Sequence, residues 1–108
     1  MAIEAELRFL VLLLAVLSGI VHDRTTGQPL VGVSIRVDGK QAVTDNDGRY
    51  SVKGVHPGAH TLTLGSKDVP SQRFHVTVKA PSTRFDMRAC SATLDYNCSG
   101  LPAGLQNG

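Results

Sequence analysis

Residues 33–52 read VSIRVDGKQAVTDNDGRYSV. The first five alternate, with Val33, Ile35 and Val37 apolar and Ser34 and Arg36 polar, as in a strand that is wet on one face and buried on the other. Asp38-Gly39 follows at once. Both residues tolerate positive φ, so the pair predicts a tight hairpin. A second strand then covers 40–44. In Asp45-Asn46-Asp47-Gly48 the side-chain oxygens can accept from their own backbone, and the glycine suits a left-handed position. A third strand resumes at 48–53, with Tyr50 and Val52 facing inward.

The same period of two extends outward in both directions. Leu62 and Leu64 alternate with Thr61 and Thr63; Phe74, Val76 and Val78 with His75 and Thr77; Phe85 and Met87 with Arg84 and Asp86. Pro57-Gly58 fits the centre of a type II turn. Seven strands are predicted, at 19–23, 31–38, 40–44, 48–53, 59–65, 72–79 and 83–89, and no connection between them has room for a helix. Seven short strands with one apolar face each predict an all-β chain: a seven-stranded antiparallel Greek-key β-sandwich. The predicted core is Val33, Ile35, Val37, Val43, Tyr50, Val52, Leu62, Leu64, Phe74, Val76, Val78, Phe85 and Met87. Residues 19–89 are expected to form the domain and to fold by themselves.

The chain has 108 residues, 42% of them hydrophobic, which suits one domain with a core. Eleven Lys and Arg against nine Asp and Glu give a net charge of +2, with the charges scattered singly. No clustered basic stretch marks a nucleic-acid partner. The length excludes a large enzyme domain and a multi-span membrane protein.

Residues 1–18 form a distinct apolar N-terminal segment. Phe9, Leu10, Val11, Leu12, Leu13, Leu14, Ala15, Val16 and Leu17 make an unbroken apolar run. It is shorter than the roughly 20 residues a spanning helix needs. Three readings stand side by side. The run is the hydrophobic region of a signal peptide cleaved after Ser18, although Glu4 and Glu6 outweigh Arg8 where positive charge is expected. Or it is a retained arm that enters a neighbouring subunit, making a filament, with Phe9–Leu14, Val16 and Leu17 as the assembly residues. Or it is an ordinary core element. The first two imply an exported protein at the cell surface or outside the cell, touching a membrane only through this segment.

The series Gly19-Ile20-Val21, Asp23, Gly27, Pro29-Leu30, Gly32-Val33, Ile35, Val37, Thr44-Asp45, Asp47-Gly48-Arg49-Tyr50, Pro57-Gly58 and His60-Thr61-Leu62 resembles the carboxypeptidase regulatory-like domains, over Gly19 to Arg88. The resemblance implies a transthyretin-like (prealbumin-like) sandwich. In that family the domain usually accompanies a peptidase, a receptor or a stack of surface repeats. It also implies peptide or carbohydrate as a ligand class. Sugar sites favour stacked aromatics, however, and Tyr50, Phe74 and Phe85 are wanted in the core. A structural or protein-binding role therefore ranks above sugar binding.

Enzyme chemistry finds little support. Hydroxyisourate hydrolases share the transthyretin-like fold and keep an early His, an Arg and a C-terminal Tyr-Arg-Gly-Ser. Here Ile20 occupies the His position, with His22 displaced by two, Arg49 stands where the Arg would, and the chain ends Leu105-Gln106-Asn107-Gly108. A zinc peptidase needs three protein ligands and a general base. No His-x-x-Glu pair occurs, and Pro57-Gly58 separates His56 from His60. No catalytic residue and no cofactor are therefore expected. Asp45 and Asp47 are weak calcium candidates, because Arg49 stands where an EF-hand loop would carry another oxygen. In the tail, residues 90–108, the close pair Cys90 and Cys98 suggests a disulfide in an exported protein. The expected function is a non-catalytic extracellular or cell-surface module with a structural or binding role. Its partners would be other protein subunits, cell-surface components or copies of itself. A pilus-like filament subunit is the alternative, and a carbohydrate-binding module the more distant one.

Overall fold

The structure is a computed structural model and describes residues 14–91. Among these residues there are eight strands and no helix: β1 (Ala15–Asp23), β2 (Ser34–Val37), β3 (Lys40–Val43), β4 (Arg49–Val55), β5 (Gly58–Gly65), β6 (Gln72–Val78), β7 (Ser82–Arg84) and β8 (Met87–Ala89). They form two sheets. One has the order β4-β1-β7, with β8 also paired to β1, and the other has the order β3-β2-β5-β6. The apolar faces of both sheets meet in one core.

The turns follow the local chemistry. Asp38 and Gly39 take φ of 52° and 71°, a pair of positive values that matches the right-handed twist of the hairpin. At the next turn the Asp45 carboxylate accepts from the backbone N–H groups of Asp47 and Arg49, each at 2.9 Å. Gly48 closes this turn at a φ of 76°, and a Cβ there would lie 2.7 Å from the Val21 carbonyl oxygen. Buried Thr44 ties the approach to β2 in place, since its hydroxyl accepts from the Val33 N–H and donates to the Leu30 carbonyl.

The structure differs from the sequence reading in four respects. First, β1 begins at Ala15 rather than Gly19, and Ala15 and Leu17 are buried in the core. Val16 and Leu17, assigned above to a separate arm, are thus part of the sandwich, whereas Phe9–Leu13 lie outside the described residues. Second, the last strand is split into β7 and β8, giving eight strands instead of seven. Third, the sandwich is not wholly antiparallel, because β7 and β8 both run parallel to β1. The chain leaves β6 in the second sheet and crosses to the first before pairing, and that crossing sets the direction.

Fourth, Val43 is 56% exposed, not core. The two-residue turn places Ile35 opposite Ala42 and Ser34 opposite Val43. Ala42 therefore takes the inward position and Val43 shares the wet face with Ser34. Phe74 and Phe85 are half-buried and meet edge to face, with ring centroids 6.4 Å apart. The core gains Val21, Leu30, Val55, Val69 and Ala89 in addition to Ala15 and Leu17.

Candidate functional site

The outer face of the first sheet is a trough along β1. Side chains on β1 alternate strictly, so Val16, Ser18, Ile20 and His22 point outward and are half-buried. On one flank β4 turns Arg49, Ser51 and Lys53 outward. On the other flank β7 and β8 present Ser82, Arg84 and Arg88. Ile20 is opposite Arg49, Ser18 is opposite both Ser51 and Arg84, and His22 is opposite Arg88. Lys53 falls within the irregularity between the Leu17–Val52 and Ala15–Val55 pairs. Gly54 takes a φ of 72° there, so that Val52 and Val55 both face the core.

The centre of the trough is a built feature. The pairs Ser18–Arg84 and Val21–Met87 have the same register, so β7 and β8 are one line of chain, interrupted at Phe85-Asp86. At the interruption the Asp86 carboxylate, not a backbone carbonyl, accepts from the Ile20 N–H at 2.9 Å. The freed Phe85 carbonyl accepts from the Tyr50 hydroxyl, which comes from the far side of β1. Gly19 lies between them, and a Cβ on it would stand 2.0 Å from the Phe85 oxygen. The resulting depression, about 260 Å³, is lined by Ser18, Gly19, Ile20, Arg49, Tyr50 and Arg84.

The electrostatics follow from these contacts. Asp86 also holds Arg84 Nε, 3.2 Å from each carboxylate oxygen. This pair is exposed and contributes little to stability. Burial, with the Asp86 charge second, raises the Tyr50 phenol far above its ordinary value, so it stays a neutral donor. Lys53, Arg49 and Arg88 have no ion-pair partner among the described residues.

The other residues singled out from sequence are dispersed. Asp45 serves its own turn, as described above, and its carboxyl is held below the ordinary range by the N–H groups of Arg49 and Asp47. Asp45 and Asp47 are not brought together with a third such ligand: among the described residues no group of three or more His, Cys, Asp or Glu side chains is placed to hold a metal. His56 bonds Asp38 through both its N–H and its ring, each at 2.8 Å, and lies at a hairpin end. His22 shares the trough face with Arg49. Cys90 is buried, and its N–H donates to the Gln72 side chain. Cys98 lies outside the described residues, and the expected bridge with it. Buried Asp23 accepts from the Thr25 and Thr26 N–H groups through one oxygen, while the other has no partner among the described residues.

The sequence reading did not find Lys53, Arg84 and Arg88 as site residues. The signal was present as cations four apart on two strands, at 49 and 53 and at 84 and 88. It has meaning only once both strands are known to flank β1.

Two sheets packed face to face, with a polar trough outside one of them, define a small β-sandwich module. The chain belongs to the carboxypeptidase regulatory-like domain family, whose model matches residues 16–89. No curated protein matches it. Among solved structures it is similar to a chain of a type II cohesin–X-dockerin complex from Acetivibrio cellulolyticus, at 21% identity and a TM-score of 0.57, covering 70% of this chain and 55% of that one. It is also similar to catechol 1,2-dioxygenase from Acinetobacter sp. ADP1, at 11% identity and a TM-score of 0.58, covering 73% and 53%. A third is a candidate carbohydrate-binding protein from Bacteroides uniformis, at 18% identity and a TM-score of 0.54, covering 71% and 41%. The match spans about half the length of these chains or less. Likeness at such identities shows the fold alone.

Proposed function

We propose that this chain is an exported, non-catalytic module that holds a cell-surface partner against the outer face of its first sheet. One observation carries the reading. In the trough, the carboxylate and the phenol, which could move a proton, are committed to fixing the backbone, and His22 stands opposite Arg88 with no carboxylate paired to it among the described residues. Asp86 is held by the Ile20 N–H and by Arg84, and the Tyr50 hydroxyl is held by Phe85. What faces outward is cationic and hydroxyl-bearing, suited to contact and not to turnover. The family supports a binding role, and the fold is one that also occurs in a cohesin–dockerin complex.

The test is a photo-crosslinking side chain at Ser51, in the full chain, in the cells that make it. A discrete adduct in the exported fraction is expected, with none from the same probe at Thr63 on the second sheet. Adducts from Thr63 alone, or a chain confined to the cytoplasm, would overturn the reading.

The filament reading keeps support from Leu14, which is 38% exposed at the start of β1 and continues the apolar run of Phe9–Leu13. Such an arm would end at Leu14, because Leu17 is already used by its own core. Mass spectrometry of the mature N-terminus tests it. A start before Phe9 supports assembly through the arm, and a start after Leu14 removes it.

A further inference from the structure

We propose that the trough along β1 is a binding site for a linear acidic polysaccharide, a polyuronate. The inference rests on the binding role above and names the ligand class.

The cations alternate from side to side along the trough. Lys53 lies beside Val16 on the β4 flank, and Arg84 beside Ser18 on the opposite flank. Arg49 is opposite Ile20, again on the β4 flank, and Arg88 is opposite His22. The flanks are two inter-strand spacings apart, about 10 Å, and successive cations are separated by two strand residues, about 6.7 Å along β1. The four therefore span roughly 20 Å. A 1,4-linked uronate chain that is close to twofold carries carboxylates along both of its sides, as the cations stand along both flanks of the trough. The forks of Arg49 and Arg88, which have no ion pair among the described residues, can each match a carboxylate with two bonds, while Arg84 is shared with Asp86. Ser18, Ser51 and Ser82 offer hydroxyls to the sugar hydroxyls between them, and Ile20 gives the ring C–H faces an apolar floor.

The face also disfavours an acidic peptide. A peptide lying on a sheet face leaves its own N–H and C=O groups unpaired, because the strands direct theirs sideways to one another. Among the described residues no Phe or Tyr ring faces the trough to stack either a base or a sugar ring, so an acidic chain here is held through its charges and hydroxyls, and oligo-dT in the test separates a sugar acid from a phosphate. Tyr50 is buried and Phe85 packs against Phe74. Two carboxylates stand near the trough. Asp86 is already held by Arg84 and the Ile20 N–H, and one oxygen of Asp45 is taken by its own turn.

The experiment is calorimetric titration of the full chain with polygalacturonate, with dextran, poly-L-glutamate and oligo-dT as comparisons. Polygalacturonate is expected to bind, more weakly as salt rises, and dextran is not. The Arg49→Gln, Arg88→Gln double variant should lose at least about tenfold in affinity with an unchanged melting temperature. The Arg36→Gln, Arg73→Gln double variant on the second sheet should bind as the unaltered chain does. Four results would each overturn the proposal: no binding of polygalacturonate; equal binding of dextran; binding of poly-L-glutamate or oligo-dT as tight as that of polygalacturonate; or an equal loss in the second-sheet variant. If polygalacturonate fails while the Ser51 adduct persists, the ligand class is wrong and the binding role stands.

Discussion

The Tyr50 hydroxyl reaches across Gly19 to the carbonyl of Phe85, joining β4 to the β7–β8 line over the intervening strand. One side chain thus holds three neighbouring segments of the first sheet together under the trough. Tyr50→Phe keeps the ring and leaves the Phe85 oxygen without its donor. The expected cost is about 1–2 kcal/mol, read as a lower urea midpoint at unchanged slope. A loss below about 0.3 kcal/mol would mean that water replaces the hydroxyl at no cost.

Gly19 makes that bridge possible. Gly19→Ala puts a methyl group where the Phe85 carbonyl is, and backbone on both sides must move. We expect a loss of roughly 3 kcal/mol or more, enough to unfold a large part of a small domain at ambient temperature. Gly27→Ala is the comparison. No atom lies within 4 Å of a Cβ there, and the φ of 77° is the sole obstacle, so a loss nearer 1 kcal/mol is expected. Equal thermal shifts in the two variants would contradict the close contact.

Leu17 decides where the domain begins. It is fully buried, so Leu17→Ala should cost about 2–5 kcal/mol, and the half-exposed Val16→Ala less than half of that. For the same reason a fragment of residues 19–89, expected from sequence to fold by itself, should melt without a cooperative transition, while one of residues 14–91 should melt cooperatively. Matching melts would place Ala15–Ser18 outside the folding unit.

Acid should weaken the fold through two turns, the β2–β3 hairpin end at Asp38 and the connection between the sheets at Asp45. The N–H and then the ring of His56 lower the Asp38 carboxyl, and the N–H groups of Arg49 and Asp47 lower that of Asp45. A carboxylate with a depressed folded value contributes stability that is complete above the unfolded value of about 3.9 and is lost as pH falls through the folded one. Stability should therefore decline between about pH 5 and pH 2, and the decline should be flatter in an Asp38→Asn, Asp45→Asn variant. Parallel curves for the two proteins, measured by urea unfolding at each pH, would exclude these residues as the cause.

Reduction of the full chain should raise its intact mass by two hydrogen atoms if Cys90 and Cys98 are bridged. The loop is short, so the stability lost should be no more than roughly 2–3 kcal/mol. An unchanged mass under reductant would remove the bridge.

Residues 33–52 and the alternating runs on either side of them carried the sandwich class, because alternation, Asp38-Gly39 and the Asp45–Gly48 turn act over a few residues and need no distant partner. The fate of Val43 was within reach too: a two-residue turn already sets Ile35 against Ala42. Leu17 was not. An apolar run looks the same whether it is cleaved, donated or buried, and only pairing with β4 and β7 assigns it to the core. The direction of β7 and β8 was equally hidden, since period two is identical in parallel and antiparallel strands. The trough depends on that direction. Arg49 and Arg84 are thirty-five residues apart in the chain, and they become neighbours across β1 only because the chain crosses from the second sheet back to the first before it pairs.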